Sequence, residues 1–584
     1  MPAGAMTTPG GLLLPLAVLV PFLGVLAGFA LGGRNVQRVA MVTIVAGFGL
    51  AIAIAAELLR SGGTVVYLLG GWAPPLGIAL RADSLSVVMM VAVAVVIAGI
   101  GLYARDAFGT PDGVREARTP FVYWLLLLAV WGSLNLVFTS GDLFTLYVAL
   151  ELLTFAGVPL VCLVGSGETL RAALRYLLDA LAGSVLYLLG AVLLYGECGT
   201  LDIALLAQRV QPGPVAWVAA ALMTTGLLAK TALFPLHLWL PPAHAGAPPA
   251  ASAVLSALVV KGSFFIVVRL WFDALPALPG ITAAQLLAGL GSAAILVGNV
   301  VALRQERLKL LIAYSTLAQI GYLFMMFPLA YDAGAGAFVH GDALTGGMLQ
   351  AISHATAKAA MFLAAGLIYA TLGHDRIAEL AGAARLVPLS VLAFALGGVA
   401  LTGAVPSGAY LAKKLLLGAA DGTGQWWWAL VLQAGGFFTT GYVVLVLAHA
   451  LRRPAEAVAP RARVRRLQEV AALALALCSL LLALAATGPL PGELLSHPLA
   501  PKELLWLLAT VAGGTVIALC LGRRLPGLPG GAALAAVGSP VRRATVAIGG
   551  LFERADAALR QWQVAGISLL VLTLLFGAAM FASA

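Results

Sequence analysis

Long apolar stretches separated by short polar gaps run along the whole chain. A helix needs about 20 apolar residues to cross a bilayer, because hydrocarbon offers no partner to an unpaired backbone group. Sixteen stretches reach that length, near residues 11–32, 39–59, 84–104, 120–138, 142–165, 173–195, 214–235, 248–270, 282–303, 310–330, 343–372, 386–418, 426–451, 467–487, 503–521 and 563–582. The pattern predicts an all-α polytopic membrane protein. The first stretch has no small-residue cleavage site behind a short apolar core, so it is expected to remain as a helix. Between the last two stretches, Val541, Ile548, Leu551, Phe552, Ala555, Leu559 and Trp562 recur at mostly helical spacing with arginines opposite. That predicts a helix lying on the inner membrane surface, either a packing connector or a coupling element.

The gaps give an orientation. Lys and Arg gather in alternate ones: Arg34 and Arg38; Arg105, Arg115 and Arg118; Arg171 and Arg175; Arg304, Arg307 and Lys309; Arg376 and Arg385; then clusters from Arg452 to Arg466 and from Arg523 to Arg560. Only Arg60, Arg81, Arg209, Arg269 and Lys502 fall on the other side. Basic residues stay cytoplasmic, so both termini are expected outside a cell inner (plasma) membrane. Of 584 residues only 24 are acidic and 34 basic, 10% charged, against about 25% in a soluble domain. With 61% hydrophobic residues and a mean hydropathy of +1.01, a soluble enzyme is excluded. Cys162, Cys198, Cys478 and Cys520 lack CxxC spacing, which excludes zinc ribbons, iron–sulfur ligation and a disulfide framework. The net charge of +10 is spread over gaps and not gathered on one face, so nucleic acid is not the expected partner.

Five lysines fall inside predicted spans, and a charge at the bilayer centre costs roughly 2.5–3.5 kcal/mol on insertion scales. Lys230, Lys261, Lys358 and Lys413 lie near mid-span, as does Glu151. His354 stands one turn before Lys358 and Gln350 one turn before that, a polar stripe on an apolar helix. Groups of this kind, bridged by water, suit proton relay: a carboxylate moving against a buried lysine loads or unloads a proton, and histidine adopts both states near neutrality. The plainer reading, ion pairs or snorkelling side chains, is preferred for Lys414, turned away from Lys413, and for Glu57 beside Arg60. Asp142 and Asp179 are open between the two readings. His237 and His244 could be metal ligands or acid–base groups with Glu151 in an intramembrane enzyme. Their separation by seven residues across Pro241 and Pro242 is not the i, i+4 pair of a metalloprotease helix.

Pro235 follows Lys230, and Pro406 with Gly408 precedes Lys413, so the seventh and twelfth spans are expected to be broken helices lining a cavity. They lie five spans apart. Two five-helix units would then be related by inversion, giving residues 1–119 (three helices and a periplasmic hairpin), 120–272, 281–452, and 453–584 with the surface helix.

Six segments carry a family resemblance: LGGWAPPLGIALRADSLS (69–86), NLVFTSGDLFTLYVALELLTF (135–155), LLAKTALFPLHLWLPPAHAGAPPAASAVLSALVVKGSFF (227–265), LRQERLKLLIAYSTLAQIGY (303–322), ISHATAKAAMFLAAG (352–366) and VPSGAYLAKKLLL (405–417). In collinear order over about residues 65–450, the chain resembles the proton-conducting, antiporter-like subunits of respiratory complex I (chain 5-like members included), Mrp cation/proton antiporters and membrane-bound hydrogenases. The resemblance implies fourteen core helices with two inverted five-helix repeats, and about two helices added at the C-terminus. It puts Glu151 on the family's helix 5 glutamate, Lys230 on its helix 7 partner and Lys261 on the helix 8 position. Lys358 falls on the central helix 11 lysine with His354 before it, and Lys413 on the exchange position of broken helix 12. It further implies no flavin, cluster or nicotinamide in this subunit, protons as cargo with Na⁺ as the alternative, and other membrane subunits and lipid as partners. The chain departs from the pattern at Pro242, where relatives have an acid, at Val405 and Ala409, where they have Pro and Gly, and at Gln350, where some have a histidine. The segment 522–562 is shorter and more Gly/Pro-broken than the lateral helix of the distal complex I subunit. An antiporter working alone and a partner of an inorganic-carbon uptake system are the competing transport functions.

Overall fold

The computed structural model describes residues 6–111, 113–454, 459–485, 501–521 and 539–582. The main helices are α1 (Leu13–Leu31), α2 (Asn35–Ser61), α3 (Ser84–Ala107), α4 (Arg118–Thr139), α5 (Leu143–Val161), α6 (Gly167–Cys198), α7 (Pro214–Thr231), α8 (Leu240–Gly246) and α9 (Pro249–Ala274). They continue as α10 (Gly280–Leu303), α11 (Leu308–Leu329), α12 (Asp342–Leu372), α13 (Pro388–Thr402), α14 (Gly408–Gly422), α15 (Trp426–Ala450), α16 (Arg466–Ala485), α17 (Pro501–Leu521), α18 (Ser539–Leu559) and α19 (Trp562–Phe581). Every stretch expected to cross the bilayer is helical at its expected place. Among the described residues, fourteen helices are long and apolar enough to cross as single rods. The twelfth stretch is instead the two half-helices α13 and α14, and the fifteenth is α17. The only sheets among the described residues are two small antiparallel hairpins, β1 (Val65–Leu68) with β2 (Ala79–Ala82) and β3 (Tyr331–Asp332) with β4 (Ala337–Phe338).

Burial is graded from rim to centre. α9, α11 and α12 are almost wholly enclosed, whereas α1, α2 and α19 turn Leu19, Leu23, Phe29, Val45, Ile567 and Leu574 outward. Outward leucines suit a bilayer, and there they provide no drive for helix association; close approach through small residues does. Between α6 and α7, a Cβ added at Gly226 would run into the Gly183 carbonyl, and between α10 and α11 a Cβ at Gly291 would lie 2.6 Å from the Gly321 carbonyl. The surface helix α18 packs on α10 and α17, and α19 packs on α7 and α10. Arg523 and Arg524 lie outside the described residues.

Candidate functional site

Two breaks in the helices place the polar groups. α7 ends at Thr231, where Ala232 takes a left-handed conformation (φ 58°) and Pro235 forbids continuation; α8 resumes with Pro241 and Pro242 in its first turn, where a missing N–H costs nothing. Lys230 thus lies in the last turn before a break, buried against α5 and α6. Its Nζ is 3.1 Å from Glu151 Oε1 and donates to Thr154 Oγ1 at 2.8 Å, while the Ser184 hydroxyl donates to the same carboxylate oxygen. Asp179, one further turn along α6, is buried and interacts electrostatically with Lys230; its Oδ2 has no protein partner among the described residues. Taking such charges out of water is expensive, and only pairing and full hydrogen bonding offset it.

A second group lies in the enclosed centre. The π-helical turn Leu255–Val259 widens α9 just before Lys261, whose Nζ donates to Ser256 O at 2.7 Å and meets His354 Nδ1 at 2.5 Å. One turn on, Lys358 Nζ donates to Ser315 Oγ at 2.5 Å and lies 5.7 Å from the centre of the Tyr442 ring. The Thr231 hydroxyl donates to Ser263 at 2.9 Å, joining the α7 break to α9. In the other direction Gln350 donates to Gln319 at 2.8 Å, and Gln319 approaches Thr439 at 3.4 Å. Gln350 also lines a cavity of about 20 Å³ with Tyr322, Thr402, Gly436 and Lys413, room for about one water. Lys413 follows the second break, at Gly403 (φ 82°) and Pro406. Among the described residues no carboxylate pairs with Lys261, Lys358 or Lys413, and charge on one of the two neighbours Lys261 and Lys358 opposes charge on the other.

The remaining candidates separate. Asp142 caps α5, accepting from Thr145 N at 2.8 Å. His244 is buried on α8 against the Phe362 ring (4.8 Å between centroids), with neither nitrogen bonded among the described residues, and interacts electrostatically with Lys309 and Lys358. His237 turns the other way: its Nε2 is 2.8 Å from Asp556 Oδ1 on α18, and its Nδ1 is 3.2 Å from Pro235 O. The two histidines therefore do not converge on a common point. Asp556 also accepts from Tyr314 and from Arg560; burial works to raise its carboxyl, but His237, Arg560 and Tyr314 hold it below the usual range. Lys414 lies over the Tyr410 ring at 5.0 Å. Flanking α8 are a cavity of about 670 Å³ lined by Arg171, Arg175, Arg307 and Lys309, and another of about 360 Å³ lined by Tyr314, Glu553, Asp556 and Arg560.

Sequence reasoning passed over Thr154, Ser184, Ser315, Gln319 and Asp556. The first four are uncharged, so hydropathy carries no trace of them; Asp556 reads as one more acid on a charged helix.

Residues 140–439 match the family described as NADH:quinone oxidoreductase/Mrp antiporter, TM. The chain is 34% identical over 439 residues to NADH-quinone oxidoreductase subunit N of Desulforudis audaxviator, covering 72% of this chain and 84% of that protein. It is 30% identical over 442 residues to an Na(+)/H(+) antiporter subunit of Alkalihalophilus pseudofirmus, covering 74% and 86%. A chain of the Mrp complex from Dietzia sp. has the same fold, with a TM-score of 0.70 and 24% identity over 86% of this chain and 97% of that one. The chain is a multi-pass membrane protein belonging to the NADH:quinone oxidoreductase/Mrp antiporter transmembrane family.

Proposed function

We propose that this chain is an ion-translocating, antiporter-like subunit of a multi-subunit membrane complex, and that it moves protons through Glu151, Lys230, Lys261, His354, Lys358 and Lys413. The observation that carries this reading is the succession of buried titratable groups, linked by Thr231–Ser263 and by the Gln350 cavity, from one helix break to the other. The central stretch offers amines and an imidazole, which take up a proton and not Na⁺. Glu151, with Asp179 behind it, gates the Lys230 end; a proton on Lys230 lowers the cost of an ionised Glu151, and its departure raises it. His354 and Lys358 carry charge through the centre, and Lys413 exchanges it at the second break.

The chain has no redox centre of its own in this reading, and the driving energy comes from partner subunits. Residues 120–272 and 281–452 are inverted copies of one unit, each contributing a break with a lysine beside it; 1–119 and 453–584 flank them. The arginine-rich end faces the cytoplasm of a cell inner (plasma) membrane. The test is proton transport by the reconstituted complex in vesicles. Glu151→Ala and Lys230→Ala are expected to abolish translocation while the variant still co-purifies with its partners, and the lone subunit is expected to give no exchange. Wild-type transport in both variants would remove the path, and robust exchange by the lone subunit would remove the dependence on partners. Electron-carrying proteins among the co-purifying subunits would mark a redox-driven complex; their absence would mark a cation/proton antiporter.

A further inference from the structure

The proposed path leaves unused a buried, hydrogen-bonded polar cluster at the arginine-rich end. His237 has no exposed surface and Asp556 is 2% exposed, yet they come from segments 319 residues apart and meet at 2.8 Å. Asp556 Oδ2 accepts from the Tyr314 hydroxyl at 2.7 Å and from Arg560 Nε at 2.9 Å, and the same carboxylate lines the cavity of about 360 Å³. His237 does not line that cavity. The carboxylate therefore stands between an open, polar space and a sealed imidazole. That imidazole belongs to the segment that interrupts α7, seven residues beyond Lys230.

Hydrogen-bond accounting shows what the pair can hold. Both ring nitrogens of His237 face acceptors, Nε2 the Asp556 carboxylate and Nδ1 the Pro235 carbonyl. A neutral imidazole has one N–H and satisfies one of them; the protonated ring has two and satisfies both. The cluster thus has a place for one additional proton. Asp556 already accepts from Tyr314 and Arg560 and faces the ring, whereas the ring has two acceptors to satisfy, so the place for the additional proton is on the imidazole. The charged and titratable groups facing the pair are Tyr314 from α11 and Glu553 and Arg560 from α18 and its end, with Arg304 of α10 tied to Glu553 at 3.0 Å.

We infer that His237 and Asp556 form a proton-holding dyad at the cytoplasmic end, loaded from the adjoining cavity, with the C-terminal surface helix supplying its carboxylate. A proton leaving cavity water is accepted through the Asp556 carboxylate onto His237 Nε2 and returns by the same atoms, so no bond other than O–H and N–H changes. Asp556 is a positioning residue: it fixes the ring and balances the imidazolium. The charge on His237 then acts on the segment that closes the Lys230 site. This inference rests on the proton path proposed above and adds a loading point to it.

The complex in vesicles tests it, with transport read across about pH 5 to 8, a span of about three units centred near the ordinary histidine value of about 6.5. Asp556→Asn and His237→Gln keep a hydrogen bond between the two positions but remove the proton-holding function. Each is expected to slow transport by at least about 10-fold near neutrality and to change the pH profile. Asp556→Glu is expected to restore both. Arg304→Gln cuts another polar tie of the surface helix, the one to Glu553, and is expected to leave the profile in place. Amide variants with the wild-type rate and profile would overturn the dyad, as would an Arg304→Gln variant that reproduces their loss, since the contact would then be a structural tie. If the amide variants fail to assemble, Tyr314→Phe deletes one hydroxyl on Asp556 and is expected to move the transport optimum by about half a pH unit; an unmoved optimum overturns the dyad equally. Loss of transport in Lys230→Ala beside wild-type dyad variants would remove the dyad alone, whereas wild-type transport in Lys230→Ala and Glu151→Ala would remove the path itself.

Discussion

Lys358 and Lys414 are both lysines on helices whose apolar character predicts no place for them, and their surroundings differ. Lys358 has no exposed surface; its ammonium meets one hydroxyl and an aromatic face, and its helix carries His354 one turn away. Lys414 is half-buried over its neighbour's ring, a contact worth about 0.5–1 kcal/mol at a partly exposed site. Lys358→Ala is accordingly expected to cut proton translocation by at least about 10-fold, whereas Lys414→Ala stays within about twofold of wild type, both read as initial rates in vesicles. The sequence makes the charged members of the site legible because each costs so much in hydrocarbon that its presence demands a reason. It is silent about what satisfies them: Ser184 on Glu151, Thr154 on Lys230 and Ser315 on Lys358 are small hydroxyls that any transmembrane helix carries. Asp556 was hidden for another reason. Its partner lies 319 residues earlier, and among Glu553, Arg554 and Arg560 it looks like part of a solvated face.

Elements decide whether these side chains can meet. The Glu151–Lys230 distance depends on α6 and α7 touching backbone to backbone at Gly183 and Gly226, the residue before Ser184 and the residue one turn before Lys230. An added methyl at Gly226 has no flexible neighbour to displace, only backbone, the Gly183 carbonyl and the Tyr187 nitrogen, so the helices must part. Gly226→Ala is expected to cost about 1–3 kcal/mol of stability and to reduce transport by separating the ion pair. A lowered melting midpoint with unchanged transport would show that the pair does not depend on this approach. At this scale hydropathy read most of the molecule, because a stretch of fixed apolar length has only one viable backbone in lipid. It placed the break in the seventh span through Pro235. In the twelfth, an apolar run over 386–418, it placed a second break through Pro406 and Gly408, and the structure divides the run at Gly403 and Pro406. The π-turns of α9 had no signature, since widening a helix by one residue changes neither its composition nor its length. Asp142, open between relay and structure on sequence alone, caps α5 by accepting from Thr145 N.

Across the whole molecule the middle of the bundle lies where lipid is as apolar as the helices, so polar ties at the two ends gain weight in holding the helices together. At the end opposite the arginine-rich one, Arg269 at the end of α9 reaches Asp83, the N-cap of α3, at 2.5 Å and Asp273 at 2.7 Å; His340, just before α12, reaches Asp273 at 3.0 Å. One cluster thus joins the start of α3, the end of α9 and the segment before α12. Burial works to raise Asp83, but Arg269 and Ser86 hold it below its ordinary value near 3.8, while the Asp273 hydrogen bond holds His340 above its ordinary 6.5. A depressed carboxyl stabilises fully above its unfolded value and loses that contribution as pH falls through its folded one. A raised histidine stabilises fully below its unfolded value and loses its contribution as pH rises through its folded one. The cluster is therefore complete between about pH 4 and 6.5 and weakens first on the alkaline side. His340 is half-exposed, so its share is a few tenths of a kcal/mol, whereas Asp83→Asn leaves Arg269 with one carboxylate and is expected to cost about 2 kcal/mol. Melting of the solubilised protein against pH measures both: His340→Gln should flatten the decline above pH 6.5, and Asp83→Asn the decline in acid. An alkaline decline that persists unchanged in His340→Gln would move the origin of that limb away from this cluster, to groups elsewhere in the bundle.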